Sequence, residues 1–215
     1  MVLVADRDAA GADRVAQDVG AVGFGVDIGD EASVIALFEH ANDVFAGQLD
    51  ALAIPAGIVD TTPFMDIDVA TFRRVNDVNV IGTYLCMREA AKYMKPGGRI
   101  CTVASVAGKR GGGLSGTAAY AASKGAVLAL SRNAARSLAP LGIAVNCVAP
   151  GPTMTAMLDG PFAIAGQRER VAATTVLNRI GDASEIAEAI AWLLSPKSSF
   201  VDGETLTVDG GLMMD

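Results

Sequence analysis

Apolar residues fall along this chain in two alternating rhythms. Short runs, Val2–Ala5, Val22–Val26, Leu49–Ile54, Arg99–Ala104, Ile143–Val148 and Thr205–Val208, read as buried strands. Between them lie longer amphipathic stretches. Glu31–Phe45 carries Val34, Leu37, Phe38, Ala41, Val44 and Phe45 at helical spacing. Further helices are predicted over Ala9–Val19, Thr71–Lys95, Thr117–Leu138 and Ser184–Leu194, the second of these stopped by Pro96-Gly97-Gly98. Strands alternating with helices of this length predict an α/β fold, a doubly wound parallel sheet covered on both faces. No repeat or linker divides the 215 residues, so one domain over 1–215 is expected. Gly108–Gly116, with Gly111-Gly112-Gly113, and Ser195–Asp202 are predicted loops. Pro150–Arg170 interrupts the alternation and is either a substrate lid or a long surface excursion.

Composition narrows the function classes. Half of the residues are apolar (51%) but only 5% are aromatic, so small aliphatic side chains must fill the core. The net charge of −7 argues against nucleic acid or an anionic membrane as partner, because neither would meet a basic surface. Cys86, Cys101 and Cys147 stand apart in apolar runs without a Cys-x-x-Cys pair, as buried reduced thiols do. No metal site is assigned. No signal-like start or membrane-length apolar run is visible, and a soluble cytoplasmic protein is expected.

In open parallel sheets, ligands bind beyond the carboxyl ends of the strands. Here those ends carry Asp6, Asp27, Pro55-Ala56-Gly57, Ser105 and Pro150-Gly151. Downstream of Ser105, Tyr120 and Lys124 are four apart on one helix face. A phenol works as an acid or base near neutrality only if its pKa of about 10 drops by roughly three units, about 4 kcal/mol. One ammonium at about 4 Å in an effective dielectric near 20 supplies that much. Taken alone, such a pair is also what a solvated helix face presents, and Ser105 could equally be a capping serine.

Ser105-Val106-Ala107-Gly108, Tyr120-Ala121-Ala122-Ser123-Lys124 and Asn146-Cys147-Val148-Ala149-Pro150-Gly151, in that order, resemble the short-chain dehydrogenase/reductase family. The likeness runs from Val2 to Val208-Asp209-Gly210-Gly211 and points to its 3-oxoacyl carrier-protein reductase and secondary-alcohol dehydrogenase group. It implies a Rossmann-like fold and hydride transfer between NAD(P)(H) and a small carbonyl or secondary-alcohol substrate. It further implies that Tyr120 exchanges a proton with the substrate oxygen. Lys124 would lower the pKa of Tyr120 and hold the nicotinamide ribose, Ser105 would bind the substrate oxygen, and Asn79 would hold a relay water. On the cofactor side it implies Asp27 and Ile28 beside the adenine. Ala56 and Gly57 would lie in close approach, and Pro150, Gly151, Thr153 and Thr155 would lie near the carboxamide. Asp6 at a strand end favours NAD by repelling a 2′-phosphate, an effect that Arg7 partly offsets, so NADP is the lesser expectation. Family members are dimers or tetramers, and Ala118, Ala119, Ala122, Ala126 and Ala129 on the tyrosine helix suit close packing in a homodimer or homotetramer.

Two departures stand out. The family's first strand and its glycine-rich, pyrophosphate-holding turn have no counterpart, and Met1 stands where the second strand begins. The missing strand is central, which predicts a gap of nearly 10 Å between its neighbours. The family's Asn-Asn-Ala-Gly reads Ile54-Pro55-Ala56-Gly57, and Pro55 removes a donor. Three arrangements are open: a misassigned start or shortened chain; a fold closed by sliding Val2–Ala5 beside Leu49–Ile54 or by oligomer contacts; or a minimal reductase that binds nucleotide differently. The alternative to an enzyme is a truncated, non-catalytic relative that keeps the fold and binds dinucleotide weakly or not at all.

Overall fold

A computed structural model describes residues 1–113, 117–158 and 163–214. Its elements are β1 (Leu3–Asp6), α1 (Ala9–Val19), β2 (Val22–Gly25), α2 (Glu31–Val44), β3 (Leu49–Ile54), α3 (Val69–Asn76), α4 (Thr83–Tyr93) and β4 (Met94–Val103). There follow α5 (Val106–Arg110), α6 (Ala118–Leu138), β5 (Ala144–Pro150), β6 (Thr153–Met154), α7 (Gln167–Ala172), β7 (Gly181–Asp182), α8 (Ala183–Leu194) and β8 (Thr205–Val208). The predicted α/β alternation is the observed one. The main sheet has the order β3-β4-β5-β8, all parallel. Val34, Phe38, Leu85, Ile100, Ile143 and Val145 form its principal core.

The predicted helix over Thr71–Lys95 is a composite. It starts earlier, at Val69, where Asp68 caps it by accepting a hydrogen bond from Thr71 N at 2.6 Å. It then widens into a π-helical turn over Asp77–Gly82 and continues as α4. Pro96-Gly97-Gly98 stops it but does not precede β4. These residues are a bulge inside β4, where the register jumps from Leu49↔Met94 to Ala51↔Arg99 and Gly97 N donates to Gly142 O. Gly97 takes φ +99°, open to glycine alone without strain.

The sheet is not continuous. β1 pairs only with β2, in a separate parallel two-stranded sheet, and among the described residues no ladder joins β1 to β3. The expected gap is therefore present, and closure by sliding β1 beside β3 does not occur. Packing explains why. Ala12 and Ala16 of α1 are buried beneath β1 and β2, and the Phe24 ring stacks on His40 of α2 at 4.9 Å. Ile28 presses on Gly82, where a Cβ would stand 2.7 Å from the Ile28 carbonyl. These contacts tie the small sheet to the helical layer where it lies. The gap is a cleft of about 1180 Å³.

The predicted Gly108–Gly116 loop is partly helical, since α5 reaches Arg110 and only then do Gly111 and Gly112 turn at positive φ. Residues 114–116 of that loop lie outside the described residues. Pro150–Arg170 is pinned at one end, because β6 pairs with β7 and a 3₁₀ turn follows over Ala156–Leu158. Residues 159–162 are likewise outside the described ones. No described helix is long and apolar enough to cross a membrane.

All three cysteines are buried, and burial pushes Cys86 and Cys101 up to about 12 and raises Cys147. The unfolded chain releases these protons near pH 9 while the folded protein keeps them. The stability they contribute is whole below that pH and is lost as pH rises toward 12. Thermal melts between pH 8 and 11 are expected to show a falling midpoint, and Cys86→Ala is expected to flatten that fall.

Candidate active site

The carboxyl ends of β3, β4 and β5 converge on a cleft of about 820 Å³. Ser105 follows β4 in extended conformation and caps α5, its Oγ accepting from Ala107 N at 3.1 Å. Ser105 is thus the capping serine that its position allowed, and the same side chain also hydrogen-bonds Tyr120. Tyr120 and Lys124 project from α6 into this cleft and are 8% and 4% exposed. Glycine at 108 permits the arrangement. A Cβ there would stand 2.5 Å from the main chain of Lys124 and Gly125, so α5 can lie on α6 only without one.

Lys124 Nζ donates to Val103 O at 2.7 Å. An ammonium has three donors, and Gly57 leaves space for the others: a Cβ at 57 would stand 3.2 Å from Nζ. Burial lowers Lys124 to about 8. Burial also raises Tyr120, and the Ser105 hydrogen bond only partly offsets this. The expected lowering of the phenol by its ammonium neighbour is thus not found. Nζ lies 5.9 Å from the ring centroid, and desolvation of the phenolate outweighs attraction at that range.

Asn79 sits in the π turn and is fully buried. Its Nδ2 donates to Ile58 O at 2.8 Å and to Ser123 Oγ at 3.0 Å, and its Oδ1 accepts from Ile58 N at 2.8 Å. Ser123 Oγ in turn donates to Tyr120 O at 2.7 Å. The side chain is a clamp between the loop after β3 and the helix that carries Tyr120. Its main-chain carbonyl is also used, accepting from Thr83 Oγ1 at 2.8 Å. Sequence reasoning singled out Asn79 but missed Ser123 and Gly108. Both lay inside quoted motifs, and their small size was the available signal.

The remaining predicted residues divide between two adjoining clefts. Pro150, Gly151, Thr153 and Thr155 line the one that holds Tyr120 and Lys124, as do Ile186 and Ile190 of α8, Met157 and Val171. Asp6, Arg7, Asp27, Ile28 and Ala56 line the cleft between β1 and β3. Asp6 and Asp27 are exposed, and each holds a nearby main-chain N–H, of Asp8 at 2.8 Å and of Gly29 at 2.9 Å. Ile28 is buried in the core. Gly57, Ala53, Pro55 and Leu194 line both clefts. The nicotinamide half of a dinucleotide fits the first cleft, where donors surround a gap that side chains leave open. The stretch shared by the clefts is uncharged, and Pro55 offers no N–H there. No described cluster of His, Cys, Asp or Glu could hold a metal.

Asn79→Ala leaves both Ile58 main-chain groups unpaired. It is expected to destabilise the fold by about 2–3 kcal/mol in urea unfolding. Lys124 contributes a cost that is full below pH 8, where the buried ammonium persists, and is relieved by pH 10.5, because the unfolded state there binds more protons. Relative to Lys124→Met, the wild-type protein is therefore expected to gain about 3 kcal/mol across that window. A constant difference would show that the amine is not desolvated.

A family model described as enoyl-(acyl carrier protein) reductase matches residues 1–213. The chain is 39% identical to cis-4-hydroxycyclohexanecarboxylate dehydrogenase of Sinomonas cyclohexanicum, over 97% of this chain and 88% of that one. It is 37% identical to inactive 2-(S)-hydroxypropyl-CoM dehydrogenase 2 of Xanthobacter autotrophicus, over 98% and 94% respectively. A solved short-chain glucose/ribitol dehydrogenase of Brucella melitensis superposes with a TM-score of 0.88 at 32% identity, covering 99% of this chain and 86% of that one. The order of Ser105, Tyr120 and Lys124, the parallel sheet that brings them together and these likenesses agree: the chain belongs to the short-chain dehydrogenase/reductase family.

Proposed function

We propose that the protein is an oxidoreductase that transfers hydride reversibly between NAD(H) and a secondary alcohol or its ketone. The observation that carries this reading is the meeting of Ser105, Tyr120 and Lys124 at one cleft wall beside Gly57. The chemistry that the reduced nicotinamide supplies when bound is a hydride to the carbonyl carbon. Tyr120 Oη then gives its proton to the carbonyl oxygen as negative charge develops there, while the Ser105 hydroxyl donates to the same oxygen. Lys124 is largely protonated at neutral pH. Its two donors not used on Val103 face the cleft, where ribose hydroxyls can accept them. Asn79 acts on this geometry by holding the loop after β3, and a relay water near its π turn completes the proton path. Asp6 and Asp27, at the adenosine end, favour NAD over NADP by repelling a 2′-phosphate. The apolar wall of Val171, Ile186 and Ile190 suits a substrate with an aliphatic or alicyclic body, such as the ring named in the Sinomonas relative. Exposed Ile81, Tyr84, Ala122 and Ala129 supply a face for a homodimer or homotetramer.

A second reading, a non-catalytic relative that binds dinucleotide weakly, is favoured by the open sheet beside the adenosine cleft and by the uncharged stretch between the clefts. One of the similar chains is itself named inactive. Calorimetric titration with NADH separates the two. Binding below a millimolar Kd with measurable ketone reduction is expected for the enzyme, and absent binding sinks it.

Tyr120→Phe is expected to lower kcat by at least 100-fold with little change in NADH affinity. Because burial holds the phenol protonated at neutral pH, alcohol oxidation should accelerate as pH rises toward 10, while ketone reduction should not. Parallel initial-rate profiles in both directions test this, and identical profiles would remove Tyr120 as the proton-exchanging group.

A further inference from the structure

The cleft that holds Tyr120 and Lys124 carries a charge opposite to that of the molecule. The chain as a whole has a net charge of −7. Yet the charged side chains among the described residues lining this cleft are Arg110, Lys124 and Arg170, with no aspartate or glutamate. Lys124 is buried and donates to Val103 O, whereas both arginines are exposed. Arg110 ends α5, the short helix that Ser105 caps at its other end. Five residues at about 1.5 Å each set the two roughly 7 Å apart along that helix. Arg170 meets the cleft together with Gln167 and Val171, on one face of α7, and Glu169 of the same helix does not line it. Neither arginine is neutralised. Among the described residues no carboxylate pairs with Arg110 or Arg170. Arg170 donates from Nε to Gly166 O and from Nη2 to Ala165 O, each at 3.2 Å, which leaves Nη1 open. The carboxylates flanking the cleft are already engaged. Glu185 of α8 is forked to Arg179 at 2.7 and 2.6 Å, and Asp209, beside Gly151, accepts from Gly211 N and Met213 N.

We propose that Arg110 and Arg170 select a substrate bearing a carboxylate, separated by several aliphatic carbons from the carbon that exchanges hydride. For the reacting end this rests on the oxidoreductase reading above, and it adds the remote end. A guanidinium presents a planar fork that matches a carboxylate through two parallel hydrogen bonds. The spacer follows from the roughly 7 Å between Ser105 and Arg110 and from the uncharged wall of Val171, Ile186 and Ile190. The two arginines line this cleft and not the neighbouring one between β1 and β3, which sets them apart from the adenosine end of the cofactor.

The probes are the keto acid 5-oxohexanoate and its neutral amide, offered with NADH. kcat/KM for the acid is expected to exceed that for the amide by about tenfold or more. That excess should shrink as salt is raised, because exposed charges are screened. Arg110→Gln and Arg170→Gln should each bring the ratio toward unity. Arg136→Gln makes the same charge change near the end of α6, outside the cleft, and should keep the ratio. Ligand-observed NMR of the two compounds, with and without NADH, reads the same preference in binding alone. A preference in binding without turnover leaves the proposal standing and counts against the oxidoreductase reading, whereas turnover without a preference does the reverse. Three results each overturn the proposal: equal binding of acid and amide; a ratio that neither glutamine variant moves; or a loss of NADH affinity in those variants that matches the lost preference, which would give the arginines to the cofactor's phosphates.

Discussion

The paired hydrogen bonds between the Asn79 side chain and the Ile58 main chain constrain everything near the candidate site. Ile58 follows the strand end at Ile54-Pro55-Ala56-Gly57, so fixing it fixes where Gly57 lies against Lys124. The third bond of the amide reaches Ser123, whose hydroxyl holds the Tyr120 carbonyl one turn earlier. A strand-end loop, a π turn and the helix of Tyr120 and Lys124 are thereby locked through one buried amide. An amide suits this task because it donates and accepts at once, and a carboxylate or an apolar side chain of similar size would leave a partner unpaired.

Electrostatics in this site are governed by burial more than by the neighbouring charge. Lys124 and Tyr120 are both pushed toward their neutral forms, the amine downward and the phenol upward. A pair in this state holds its protons on the phenol while the amine gives its proton up more easily than in water. Anything polar that enters the cleft and contacts Lys124 would shift that balance, because a fully desolvated charge responds strongly to each new hydrogen bond.

Much of this was legible in the amino-acid pattern. The strand and helix alternation and the strand ends follow from periodicity, whereas the Ser105, Tyr120 and Lys124 grouping and the gap beside β3 follow from the resemblance to a family whose central first strand has no counterpart here. What was not legible depended on contacts between distant segments. Pro96-Gly97-Gly98 carries the same local signal whether it ends a helix or bulges a strand, and the hydrogen bond from Gly97 to Gly142 decides which. The phenol's upward shift depends on the 5.9 Å separation and on burial, neither of which a four-residue spacing reveals. The role of Asn79 as a clamp depends on Ile58, 21 positions away.

The π turn at Asp77–Gly82 carries a consequence of its own. Such a turn holds one residue more than the α-helix would in the same length. Each residue of an α-helix advances the side-chain direction by about 100°. Removing a single residue from Asp77–Gly82 would leave a straight, well-formed helix, yet it would rotate everything on one side of the deletion by that angle relative to the other. Val75 would leave its buried seat, or Asn79 would swing away from Ile58; α3 and α4 could not both keep their present faces. The extra residue is thus a phase shifter between two helical segments, and the buried amide of Asn79 stands inside it.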